Sequence, residues 1–158
     1  MKSHFLLWRE SFLFPDIISF LEKKSQISEI RVSANDFNVF VTSCVSKDDY
    51  FNVIESLRSV YGVRKVISFP VLKEIIKGKM DNDLFIILAI RLSKKHNKKN
   101  VEKLVYQYSP IWADSVDGIF SYLVCFRPLD VNLKIFLGKI YKEHCEYVEP
   151  LVLLPKDK

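Results

Sequence analysis

ISEIRVSANDFNVFVTSCVSKDDYFNVIESLRSVYGVRKVISFPVLKEII, residues 27–76, spells strand, strand, helix, strand. IRVSA and NVFVTSCV are apolar runs rich in β-branched residues. Asn35-Asp36 between them tolerates a tight turn, so the spacing predicts a hairpin. Tyr50, Val53, Ile54, Leu57 and Tyr61 then recur at helical spacing and predict one apolar stripe. Ser46 and Asp49 fit a capping box at the start of that helix, and Gly62 stands where a helix ends in a left-handed residue. VRKVISFPVL follows as a strand whose Pro70 has no N–H to donate, which predicts a sheet edge or a strand end.

Working outward, HFLLW (4–8) reads as a first strand, and Pro15 opens a helix with Ile17, Phe20 and Leu21 on its buried face. Residues 4–76 thus spell strand–helix–strand–strand–helix–strand. The second half repeats the order. Residues 84–92 form a strand, and Val101, Leu104, Val105 and Tyr108 mark a helix that stops at Pro110. A second hairpin, 112–116 with 119–126, turns at Asp117-Gly118. Leu129, Leu133, Phe136, Leu137 and Ile140 share a helical face, and 145–154 ends in the strand PLVLL. The two turns and the two strand ends SFPVL and PLVLL superpose at an offset of about 82–83 residues, which predicts an internal duplication. The expected fold class is α+β: tandem ferredoxin-like βαββαβ units of the dimeric α-β barrel type, 1–76 and 84–158, joined by a linker, 77–83. LFIILAI and SYLVCF are apolar on both alternating faces, so the face away from the helices must be covered, by sheet packed on sheet or by another chain.

The rest of the composition excludes more than it selects. The net charge of +5 is spread evenly, 12 Lys/Arg against 9 Asp/Glu in residues 1–80 and 12 against 10 in 81–158, so neither half is a nucleic-acid domain by charge. Cys44, Cys125 and Cys145 lie far apart with no CxxC, which suits a reducing cytoplasm. No signal peptide is read at the N-terminus, and the longest apolar run, 84–90, is too short to cross a bilayer. The four glycines are isolated, so no phosphate-cradling fingerprint is present. His4, His96 and His144 have no partners at ligand or catalytic spacing, and His144 beside Cys145 points away from it. Asp81 and Asp83 in the linker read as solvated carboxylates rather than a metal pair. No enzyme activity, cofactor or metal is expected. Arg91, Lys94, Lys95, Lys98, Lys99 and Lys103 form the densest basic cluster, read as a solvated helix start. Phe120 and Tyr122 are expected on one face with Phe126 beside them, an arrangement that serves core packing before base stacking.

Residues 32–76 resemble the ligand-sensing (RAM) domain of the Lrp/AsnC regulators. The matching residues are Asn35-Asp36-Phe37-Asn38, Gly62-Val63 and Val71-Leu72-Lys73, with Gly118-Ile119-Phe120-Ser121 at the hairpin position of the second copy. The resemblance implies a domain that dimerises through its sheet and binds amino acids or similar effectors near the hairpin turn. It places the ligand on Asn35, Asp36, Asn38, Gly118 and Ser121. Asn38 and Ser121 stand where the family usually has Asp, which removes a carboxylate partner for an ammonium group. The family's DNA-reading helix-turn-helix has no counterpart before the first strand, so no direct sequence-specific DNA binding is expected. The implied role is a cytoplasmic effector-sensing or assembly module, self-associating or joined to a regulator protein through the sheet, with no membrane contact. The alternatives are a protein–protein adaptor with no ligand and a single-stranded RNA-binding protein.

Overall fold

The computed structural model describes residues 1–10, 21, 23, 24 and 26–156; the helix expected from Pro15 lies outside them. Eight strands form one antiparallel sheet: β1 (Lys2–Arg9), β2 (Ile27–Val32), β3 (Val39–Cys44), β4 (Val63–Ile76), β5 (Phe85–Leu92), β6 (Trp112–Val116), β7 (Tyr122–Phe126) and β8 (Cys145–Leu153). Three α-helices lie among the described residues: α1 (Tyr50–Arg58), α2 (Lys98–Tyr108) and α3 (Val131–Ile140). The strand order is β2-β3-β1-β4-β6-β7-β5-β8, so the order within 1–76 returns within 84–158. The class is α+β, but with one continuous curled sheet in place of two stacked ones.

Continuity comes from β4. Its first part pairs with β1 as far as Ser3↔Pro70, and its second part pairs with β6 from Val71↔Val116 onward. Pro70 therefore stands mid-strand, in the centre of the sheet, where the strand changes partner. The expectation of an edge is corrected: a residue without an N–H is tolerated at the last pair of one ladder, just before the next begins. Its carbonyl is used, accepting from Asp117 N–H at 2.9 Å.

The far edges meet as well. Ser33 bridges Leu153, with Ala34 N–H on the Val152 carbonyl and Leu154 N–H on the Val32 carbonyl, both 2.9 Å. The curl thereby turns the helix-free faces of both halves toward one interior, filled by Leu6, Phe40, Phe69, Phe85, Ile87 and Leu123 with their neighbours. Separate cores lie under the helices, Phe5, Val41, Val53 and Leu57 in the first half and Val105, Tyr122, Phe126 and Phe136 in the second. β5 and β7 are hence buried on both faces, as their unbroken apolar runs require. Phe120 belongs to the interior and Tyr122 to the helix side, so the expected shared face is not formed. β7 begins only at Tyr122, and the preceding turn breaks the alternation.

Four local readings are settled by the same packing. Gly62 is left-handed at φ +85°, as expected. The capping box is not formed: Ser46 Oγ donates to the Asp49 carboxylate at 3.0 Å, above a 3-10 turn, and α1 starts without a side-chain cap. Tyr61 falls beyond the end of α1 and Leu129 before the start of α3; they are 66% and 96% exposed, outside the buried faces assigned to them. Segment 77–83 is strapped down. A Cβ on Gly78 would run into the Ile111 carbonyl, Met80 packs against the interior, and Asp81 and Asp83 pair with Arg127 at 2.6 and 3.4 Å. The Arg127 guanidinium holds the Asp81 carboxyl below its usual range, so these carboxylates serve as anchors of the strap.

Candidate functional site

The turn of the first hairpin roofs a cavity of about 410 Å³ lined by Leu6, Asn35, Asp36, Phe37, Phe120 and Leu151 among others. Strand alternation places Leu6 and Leu151 inward from β1 and β8, and the turn before β7 brings Phe120 onto Tyr147, their rings stacked at 5.7 Å. The walls are apolar. The polar groups are at the rim: Asp36, and Glu149, which accepts from the Tyr147 hydroxyl at 2.8 Å.

The residues assigned to a ligand from sequence are divided by the structure. Asn35 and Asp36 line this cavity. Asn35 also closes the sheet, its Oδ1 accepting from Val152 N–H and its Nδ2 donating to the Pro150 carbonyl, both 2.9 Å. Asn38 is committed elsewhere, exchanging two hydrogen bonds with the Arg9 backbone at 3.2 and 2.9 Å. Gly118 and Ser121 line a different, smaller cavity; Gly118 (φ +126°) lies against Phe69, and Ser121 Oγ accepts from Leu92 N–H at 3.2 Å.

A polar cluster missed by sequence reading occupies the other end of the interior, two residues back along β1. His4 Nε2 lies 2.6 Å from Asp114 Oδ2, and Nδ1 lies 2.8 Å from Thr42 Oγ1. An ionised carboxylate only accepts, so the proton is on Nε2, and Nδ1 takes the Thr42 hydroxyl. Lys2 Nζ reaches the same Asp114 oxygen at 3.1 Å and faces Glu74 at 3.9 Å. Phe40 and Trp112 both pack against the imidazole, with centroids at 5.3 and 5.0 Å from it and 6.4 Å from each other. A hydroxyl, a neutral imidazole and a carboxylate in line can activate the hydroxyl as a nucleophile. Here the stacked rings hold the imidazole still and the chain ties β3, β1 and β6 together. Thr42 and His4 touch a cavity of about 310 Å³ under the strap at Gly78 and Met80.

Burial pushes the His4 pKa down, outweighing Asp114, which raises it; Lys2 lowers it further and Glu74 raises it. The unfolded chain gains a proton below about pH 6.5 that the native imidazole refuses, so stability falls as pH drops below that point. Denaturant unfolding should give a lower midpoint at pH 5.5 than at pH 7.5, with the difference reduced in His4→Gln. Identical pH dependence in the wild type and the variant would show that His4 is not the group responsible.

No protein-family model matches the chain, and no curated protein sequence matches it. Solved structures do. The architecture is shared with the siroheme decarboxylase NirDL, at a TM-score of 0.72 over 97% of this chain and 71% of that one, with 6% identity. A major regulator of staphylococcal pathogenesis is similar at a TM-score of 0.55, over 99% of this chain and all of the other, with 11% identity. At these identities the likeness is one of fold. It agrees with the Lrp/AsnC-like architecture expected from the hairpin and Gly-Val positions.

Proposed function

We propose that the protein is a non-enzymatic, cytoplasmic effector-sensing module related to the Lrp/AsnC regulators, built of two ferredoxin-like units, 1–76 and 84–158, with 77–83 between them. None of its three described helices forms a helix-turn-helix, since each is flanked by strands. The observation that carries the reading is the cavity beneath Asn35-Asp36: apolar walls closed by Phe37 and Phe120, with carboxylates only at the rim. That arrangement takes a small molecule with an apolar body and a cationic head, such as an amino acid with an apolar side chain. Asp36 and Glu149 supply the carboxylate that Asn38 and Ser121 do not.

The test is a thermal-shift screen of the purified chain against amino acids and apolar amines. A ligand at a hundred times its Kd should raise Tm by about 5–10 °C. The combined Asp36→Asn and Glu149→Gln replacement should remove that shift while leaving the free protein's Tm in place. A flat screen at saturating concentrations would reject sensing.

The second reading, an adaptor, is favoured by Val131 and Ile135, four residues apart and both exposed on α3. Since the helix-free faces of both halves are turned inward, a regulator partner would dock on that helix or on the free parts of β2 and β8. RNA binding loses its stacking platform, because Phe120, Tyr122 and Phe126 are buried.

A further inference from the structure

Tyr122 is 1% exposed, yet its hydroxyl has no hydrogen-bond partner, and the same holds for Nε2 of His96 beside it. The two rings meet edge to face at 5.9 Å and both line a cavity of about 200 Å³ at the start of α2. Desolvation pushes the Tyr122 pKa up to about 12, so at neutral pH the phenol keeps its proton and can donate. His96 Nδ1 lies 2.6 Å from the Ser93 carbonyl and is therefore the protonated nitrogen, which aims Nε2 as the free one.

The rest of the wall is donor-rich. Lys98 is the first residue of α2, where the helix dipole is positive. Ser121 uses its oxygen to accept from Leu92 N–H, leaving its hydroxyl hydrogen unused by that contact, and Ser115 stands opposite. Two carboxylates bear on the cavity. Asp117 lines it but accepts from Gly118 N–H at 3.0 Å, and Glu102 is paired with Lys73 at 3.0 Å. Lys94, Lys95 and Lys99 flank the mouth in sequence and keep the surrounding charge positive. Asn97 already accepts from Lys99 and Asn100 N–H, so the specificity comes from side chains rather than open helix amides.

We propose that this cavity binds the phosphate group of a small phosphomonoester, with Tyr122 and Lys98 donating to its oxygens and the P–OH of the monoanion donating to the free Nε2 of His96. The site is separate from the cavity under the first hairpin and does not depend on the effector reading.

Inorganic phosphate and phenyl phosphate, titrated into the full chain at constant ionic strength, should shift the backbone amide resonances of His96, Lys98, Ser121 and Tyr122 along a saturating curve. Tyr122→Phe and Lys98→Ala should each raise the half-saturating concentration about tenfold. Lys103→Ala should leave it unchanged. Tyr122→Phe removes only an oxygen that bonds to nothing in the protein, so its melting temperature should equal the wild type's, and any loss of binding is then not a loss of fold. The proposal is overturned if sodium chloride alone reproduces the shifts, if they never saturate, or if both variants bind as the wild type does. It is equally overturned if single-stranded RNA without terminal phosphates binds more tightly than phenyl phosphate, with steep salt dependence, for the lysines would then serve a polyanion backbone.

Discussion

Asp114→Ala should destabilise the protein by about 3 kcal/mol, because it leaves the buried Nε2–H of His4 without its acceptor and Lys2 with only Glu74, 3.9 Å away. Asp114 itself is 0% exposed. Denaturant titration should show a lower midpoint at unchanged slope, the signature of lost stability rather than a changed unfolded state. The partners act as a unit, so His4→Phe combined with Asp114→Ala should cost less than the sum of the single changes. A cost below 1 kcal/mol for Asp114→Ala would mean that the cluster is not a structural tie, and would return attention to the Thr42 hydroxyl as a reactive group.

The second large effect is expected at Arg31, 1% exposed at the seam of the sheet. Its guanidinium donates to the carbonyls of Asp83, at 3.0 Å, of Leu154, at 3.4 Å, and of Asp81, and pairs with Glu29 at 3.1 Å while lying over Phe85. One side chain thus holds β2, the strap 77–83 and the end of β8. Arg31→Ala should cost about 3 kcal/mol and speed hydrogen exchange at the Ala34 and Leu154 amides, which carry the seam's hydrogen bonds. Arg31→Lys should recover only part of this, since a point charge cannot serve a fork of carbonyls. Protection at Ala34 and Leu154 unchanged by Arg31→Ala would refute the assignment.

Strand and helix order was legible because apolar periodicity is a local signal, and the covered sheet face followed from β5 and β7 having no polar side. What failed was local chemistry overridden by partners distant in sequence. Pro70 reads as an edge residue until the change of partner from β1 to β6 is known. Asn38 reads as a ligand residue until Arg9 is placed beside it. The His4 cluster joins residues 110 and 38 positions apart, which no motif spacing can show. A signal did exist. A histidine inside HFLLW and an aspartate inside WADSV are polar groups in runs destined for burial, and such groups must find one another. The cavity under the first hairpin was half legible: Asn35-Asp36 marked its roof, while Phe120 and Glu149 come from the other half of the chain.

The seam between β2 and β8 also bears on how the chain folds. Ser33 and Leu153 are 120 positions apart in a chain of 158 residues, so their bridge must wait until each half has assembled its own strands, and closure is placed late by the entropy of so large a loop. Until then two unsatisfied strand edges stand open at once, each able to recruit the complementary edge of another molecule. Arg31 and Asn35, which fasten the β2 side of the seam to the two ends of its stretch on β8, thereby also decide how long a newly made chain stays exposed to its neighbours.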